Sequence, residues 1–320
     1  MGAPPDKPPI DHAFRAESLK GGARDPTYAG ALSFMRRLYS RDLAGADVAI
    51  LGVPSDLAVS NRPGARFGPQ AIRRASAILD GDPHFPWGFD IFADMATIDY
   101  GDCALDLHHP ETVAGAIEAE ARRIVEAGVH LLALGGDHFV SWPLMKAHAA
   151  RHGPLALVQF DAHQDTWDDD GTRLSHGSFV LRAVREGVVD PERSIQVGIR
   201  THAPQTAGIE VVSAYSVHRI GIAAVAEAIV ERVAGAPTYL SFDIDCLDPA
   251  YAPGTGTPVA GGLTSAQALM ILAGLGRVRF VGADIVEVSP PYDHADITAL
   301  AAATVAQHYL GLLAKKRAAG

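Results

Sequence analysis

The chain is poor in cysteine, with only Cys103 and Cys246 in 320 residues. Two thiols make neither a disulfide framework nor a zinc-ribbon spacing, and they read as reduced side chains of a cytoplasmic protein. Basic residues are in the minority: 27 Lys and Arg stand against 37 Asp and Glu, for a net charge of −10. That balance argues against nucleic acid or an anionic membrane as the partner and suits a small cationic ligand. No apolar run reaches the ~18 residues needed to span a bilayer. The opening stretch, with Pro4, Pro5, Pro8 and Pro9, lacks the apolar core of a signal peptide. Three motifs are missing as well. There is no Gly-x-Ser-x-Gly elbow for a serine hydrolase, and no phosphate-binding Gly-Lys-Ser/Thr loop. The run Gly254-Thr255-Gly256-Thr257-Pro258 has no third glycine and is broken by Pro258, so it is not a dinucleotide fingerprint.

With 48% hydrophobic and 20% charged residues, the chain has the composition of an ordinary globular protein with a large core. Residues 1–25, rich in Pro, Gly and charge, are expected to form a flexible N-terminal arm, and 26–320 one catalytic domain. Short β-branched runs predict strands at 48–53, 130–134, 155–160, 195–199, 210–212, 238–242 and 280–286. Longer amphipathic stretches predict helices at 69–79, 111–127, 142–151, 223–233, 265–275 and 296–313. Gly68, Ser141 and Thr264 stand where helix caps belong. Strands that alternate with helices and read as continuous apolar runs imply an α/β fold. Its mostly parallel sheet would be covered by helices on both faces.

In open parallel sheets, ligands gather at the carboxyl ends of the strands. Here Leu134 leads into Gly135-Gly136-Asp137-His138, Phe160 into Asp161, Phe242 into Asp243, and Val286 into Glu287. Asp161, His163 and Asp165 occupy alternate positions, and Asp243 and Asp245 repeat the spacing. In an extended backbone, alternate residues share one side, so both segments would aim at one point. Buried carboxylates crowded together are costly unless a cation sits among them. The candidate ligands are therefore His138, Asp161, His163, Asp165, Asp243 and Asp245: two imidazoles and four carboxylates. Two divalent cations would balance the four negative charges, and so oxygen-rich a set favours Mn²⁺ over zinc. Two such ions, ~3.5–4 Å apart, can bridge a water and bring its pKa near ~7. Asp102 and Asp248 stand alone and read as ordinary turn or cap residues.

These motifs, with Arg62-Pro63-Gly64-Ala65-Arg66-Phe67-Gly68-Pro69, Cys246-Leu247-Asp248-Pro249 and Glu287-Val288-Ser289-Pro290, resemble the arginase–agmatinase (ureohydrolase) family from about Ala46 onward. The likeness is to its bacterial agmatinase branch. The resemblance implies a single three-layer α/β/α domain with an arginase-like fold, two Mn²⁺ ions per subunit, and a homotrimer or homohexamer. It implies hydrolysis of a guanidino compound to urea and an amine, with agmatine first among the substrates and guanidinobutyrate or arginine as alternatives. A non-catalytic relative that only binds metal and ligand is the reading from a different class. By the same resemblance Asp165 would ligate metal and accept the proton of the attacking water. Glu287 would hold the guanidinium through paired hydrogen bonds, and His176 would move a proton to or from the leaving amine. Two departures from the branch, Ser178-Phe179-Val180 after the His-Gly pair and Ser55 within Pro54-Ser55-Asp56, are expected to border the pocket. The acidic segment Trp167-Asp168-Asp169-Asp170-Gly171-Thr172-Arg173-Leu174 would favour a cationic substrate tail if it reached the pocket mouth.

Overall fold

The computed structural model describes residues 19–20, 27–79, 83–168 and 174–318. Apart from Leu19 and Lys20, the expected arm lies outside the described residues, as do Asp169, Asp170 and Arg173 of the acidic segment.

Among the described residues one nine-stranded sheet forms from β1 (Leu38–Tyr39), β2 (Val48–Val53), β3 (Thr97–Asp102), β4 (His130–Gly135), β5 (Ala156–Phe160), β6 (Ile195–Ile199), β7 (Glu210–Ser213), β8 (Thr238–Asp243) and β9 (Phe280–Val286). The order is β1-β3-β2-β4-β9-β8-β5-β6-β7, and every pairing is parallel. The helices are α1 (Gly68–Ser76), α2 (Pro110–Glu126), α3 (Ser141–His152), α4 (Phe179–Arg185), α5 (Ala214–Ile220), α6 (Ile222–Val233), α7 (Ser265–Ala273) and α8 (Ile297–Ala318).

The two-sided core follows from the period-two geometry of strands. Along β2, Val48 and Ile50 join a cluster with α1, α6, α7 and α8, while Ala49, Leu51 and Val53 join one with α2, α3 and α4. Those helices make the outer layers, so the fold is a three-layer α/β/α sandwich.

β1, β3, α4 and α5 are absent from the pattern-based expectation. β3 reads Thr-Ile-Asp-Tyr-Gly-Asp, and its two carboxylates disguise a strand that is buried almost throughout. Asp99 is tolerated there because Arg73 and the Phe34 N–H bond it. α4 and α5 span seven residues each, too short to show a helical period. α1 stops at Ser76 and continues as a 3₁₀ turn over Ala77–Leu79. α8 contains no uninterrupted apolar run of that length, although by length and mean composition it is long and apolar enough to cross a membrane. Most of that apolar surface is buried in the core instead.

The sheet order sets up the site. β4 and β5 are consecutive in the chain, yet β9 and β8 are inserted between them. The four strands that end in candidate ligands and Glu287 are therefore side by side, with all their carboxyl ends at one edge.

Candidate metal centre and cleft

The register pairs Phe160 of β5 with Phe242 of β8, which places Asp161 beside Asp243. The backbone does not stay extended past either residue, contrary to the reading of the alternate spacing. Asp161 Oδ1 accepts the His163 N–H at 2.6 Å, and Asp243 Oδ1 accepts the Asp245 N–H at 2.7 Å. Each aspartate thus turns the chain with one oxygen, an Asx turn that links residues i and i+2. Beyond β8 the chain enters a 3₁₀ turn, Ile244–Cys246. Beyond β5, Asp165 takes a left-handed conformation, φ 51°. The two turns are tied together by the Ala162 N–H, which donates to Asp245 Oδ1 at 3.0 Å.

His138, capped into its own 3₁₀ turn by Asp137, faces this pair from β4. Its Nδ1 lies 3.0 Å from Asp161 Oδ2, 3.1 Å from Asp165 Oδ2 and 3.1 Å from Asp243 Oδ2. His163 Nδ1 lies 3.1 Å from Asp245 Oδ2 and 3.4 Å from Asp161 Oδ1. Two compact groups result, His138–Asp161–Asp243 and Asp161–His163–Asp245, with Asp161 common to both. All six expected ligands are brought together.

The donor set fits cations. His138 Nε2 contacts Ser241 Oγ at 2.8 Å, and that hydroxyl donates to Asp284 Oδ1 at 2.7 Å. With the hydroxyl proton committed to Asp284, Nε2 donates to Ser241 Oγ and Nδ1 is left to face the carboxylates. Against its burial, Asp161, Asp165 and Asp243 push the ring well above the usual imidazole range, so a cation at Nδ1 would take the place of a proton. That Nδ1 is buried, has no hydrogen-bond partner of acceptable angle, and looks onto three carboxylate oxygens. The carboxylates strain against one another. Burial, with Asp245 and Asp161 nearby, pushes Asp243 well above the usual carboxylate range. Burial and Asp161 raise Asp165 to about 6. Burial opposes ionisation of Asp161, but His138 and His163 hold it below the usual range. His163, against its burial, is driven up to about 12 by Asp245 and Asp161. Protons would otherwise fill the places that divalent cations take, and metal binding would release them.

His176 and Glu287 lie alongside. Glu287 follows β9 in a left-handed conformation, φ 65°. Its Oε1 accepts the His138 N–H at 2.8 Å and meets His176 Nδ1 at 2.9 Å. One of its oxygens is therefore already engaged, which differs from the paired grip expected of it. Oε2 is buried without a hydrogen-bond partner among the described residues. Gly256 leaves space beside it: a Cβ there would lie 3.2 Å from Oε2. Burial would lower His176, but Glu287 raises it to about 9, and His176 in turn holds the buried Glu287 below its usual range. His176 Nε2 faces Ser60, 2.8 Å from Oγ and 3.2 Å from the backbone N.

A cleft of about 300 Å³ opens over these groups, lined by Ser60, His163, Asp165, Trp167, His176 and Thr257 among others. Of the acidic segment, Trp167 lines it, while Asp168 is paired with Arg185 at 2.6 Å. The departures at 54–56 and 178–180 are not among its lining residues. Phe179 instead packs on the His138 ring, 4.3 Å between centroids, and Asp56 anchors the Gly64 N–H and Arg66. Asp248 accepts the N–H groups of Ala250, Gly261 and Gly262, a turn anchor as expected, and Asp102 pairs with Arg73.

The sequence reading missed the supporting groups. Gln159 Nε2 donates to Asp161 Oδ2 at 2.7 Å and is itself bonded by Gln196. Asp284 receives Ser241 and the Tyr239 hydroxyl. Arg200 donates to the carbonyls of Gly198, Asp245, Cys246, Leu247 and Val259, fixing the segment that carries Asp245. The available signal was polarity inside apolar strands, since Gln159, Gln196 and Asp284 are all 0% exposed. Gly136 has a steric role: a Cβ there would lie 2.1 Å from the Ser55 carbonyl oxygen.

The Arginase family profile matches residues 46–311. The agmatinase of Chromobacterium violaceum is 53% identical over 312 residues, covering 97% of each chain. A crystal structure of a hypothetical agmatinase from Burkholderia thailandensis superposes with a TM-score of 0.95 at 54% identity, over 97% of this chain and 99% of that one. The proclavaminate amidino hydrolase of Streptomyces clavuligerus superposes at 0.87 with 38% identity, over 91% and 100%.

Proposed function

The chain belongs to the arginase family, and on that premise we propose that it hydrolyses agmatine to putrescine and urea. One observation carries the reading. The bare His138 Nδ1 and the carboxylates around it lie one hydrogen bond from Glu287, whose unpartnered Oε2 is an acceptor for a guanidinium N–H.

His138, Asp161, His163, Asp165, Asp243 and Asp245 would hold two Mn²⁺ ions per subunit, whose chemistry is to make water a nucleophile near neutral pH. The protein supplies the rest. A guanidinium stays charged at any ordinary pH and is a poor electrophile, so its orientation matters. Glu287 Oε2 accepts one of its N–H groups in a charge-assisted bond. Asp165 turns Oδ2 toward His138 and has Oδ1 to take the proton of the attacking water. His176, protonated through its contact with Glu287, is the acid for the departing amine.

The cleft also bears on the substrate's tail. Among the described residues lining it there is no Lys or Arg, and Trp167 offers an aromatic face. An ammonium is attracted by that face and by the nearby carboxylates, whereas a carboxylate finds no Lys or Arg to pair with among the described lining residues. The enzyme works in the cytoplasm as a homotrimer or homohexamer in this reading. The test is urea release with Mn²⁺ from agmatine, arginine, 4-guanidinobutyrate and 3-guanidinopropionate. Agmatine should be preferred. A preference for a carboxylate-tailed compound refutes the substrate and leaves the guanidine chemistry standing.

A further inference from the structure

His176 has no ring nitrogen to spare for a substrate. Nδ1 meets Glu287 Oε1 at 2.9 Å, and Nε2 meets Ser60 Oγ at 2.8 Å and Ser60 N at 3.2 Å. An acid for the departing amine must reach that nitrogen directly or through one bridging group. Ser60 is exposed and lines the cleft with His176 and Asp165. We propose that the Ser60 hydroxyl is a catalytic proton relay between His176 Nε2 and the departing amine, a role that rests on the guanidine-hydrolase reading above.

The hydrogen-bond inventory of the two side chains sets the direction. In the neutral ring with its proton on Nδ1, that proton goes to Glu287, and Nε2 accepts from Ser60. In the imidazolium, Nε2–H donates to Ser60 Oγ, the Ser60 N–H gives up Nε2 as its acceptor, and the hydroxyl hydrogen turns to the cleft. In the transfer, the Nε2 proton passes to Oγ as the hydroxyl proton passes to the amine nitrogen. The C–N bond breaks with its electron pair going to that nitrogen. The ring recovers a proton, by the same hydroxyl, from the O–H on the former guanidinium carbon, which becomes the urea carbonyl. Water is the only co-reactant.

The neighbours of Ser60 hold it in place. The Ala58 N–H donates to Asp137 Oδ2 at 2.9 Å, and Asn61 Nδ2 donates to the Gly256 carbonyl at 2.9 Å. The His176 N–H reaches the Ala58 carbonyl at 3.3 Å. These bonds fix the backbone around Ser60, so that only a rotation of the hydroxyl precedes the proton's movement.

The test compares wild type, S60A and S60T as the full-length Mn²⁺-loaded enzyme. S60A deletes the hydroxyl and keeps the backbone N–H contact. Its kcat should fall by about 10²-fold, the scale of general acid catalysis, with KM, Mn²⁺ affinity and unfolding midpoint little changed. S60T should restore most of the rate. In mixtures of H₂O and D₂O the wild-type proton inventory should be bowed, and that of S60A straighter. A wild-type kcat in S60A, or equal losses in S60A and S60T, overturns the relay alone. Absence of urea release by the wild type overturns the reaction reading, and the relay with it.

Discussion

Asp161 and Asp243 end neighbouring strands in the same pose. Each gives Oδ1 to the N–H two residues on, at 2.6 and 2.7 Å, and turns Oδ2 to His138 Nδ1, at 3.0 and 3.1 Å. One oxygen shapes the chain and the other faces the place of a cation. Asparagine can keep the first function, since its carbonyl oxygen also accepts, while losing the charge needed for the second. Asp161 belongs to both ligand groups and Asp245 to one. D161N should therefore lose both ions, and D245N should lose chiefly one. Metal content per subunit by mass spectrometry, with circular dichroism to show that both variants stay folded, decides this. Equal metal content in the two variants would sink the shared-ligand arrangement.

Chelation should abolish activity, and Mn²⁺ should restore it. Because the cations bind only the folded state, they should also raise stability, by about 2.7 kcal/mol at 100 times the dissociation constant. Thermal unfolding across a Mn²⁺ titration measures this. Full turnover by metal-free protein would refute the mechanism.

Asp165 combines a ligand's charge with a left-handed backbone, φ 51°. Aspartate and asparagine tolerate that conformation better than most residues. D165N should stay close to wild type in stability while kcat falls by about 10²–10⁴-fold through loss of the base. D165A should add a destabilisation on the order of 1 kcal/mol from the backbone. Denaturant unfolding of both variants separates charge from conformation. If D165N keeps its rate, Asp165 is not the base.

Glu287 raises His176 to about 9 despite the burial of the ring. Replacing the carboxylate in E287Q removes the charge that favours the imidazolium, so the ring should titrate at lower pH. The protonated fraction at pH 8 should then drop. An NMR titration of His176 in metal-free protein measures the midpoint directly, and an unmoved midpoint would show that another group sets it.

The fold class and the gathering of the six Asp and His side chains were legible because they rest on signals local in sequence: apolar runs followed closely by Asp or His. The reason for the alternate spacing was not legible. Asx turns and extended strands both relate i to i+2, and only the backbone shows that Asp161 and Asp243 use turns. β3 was hidden because Asp99 is neutralised by Arg73, 26 residues away in the chain. Gln159, Asp284 and Arg200 escaped notice because their partners belong to other strands and loops. The engagement of Glu287 Oε1 depends on His138 and His176, brought to it by the strand order.

The two cysteines acquire a use from where they sit. Cys246, next to Asp245, is fully buried, and burial with the adjacent Asp243 and Asp245 pushes its thiol well above the ordinary range. Burial and Glu120 bring Cys103 to about 12. Since the thiolate is the reactive form, both side chains should ignore an alkylating reagent in the native protein at neutral pH. They become reagent-accessible only as the structure opens, Cys246 in the turn that carries Asp245 and Cys103 at the far flank after β3. The wild-type chain thus carries two built-in reporters, and their separate labelling rates would show whether removing the cations loosens the centre alone or the whole sheet.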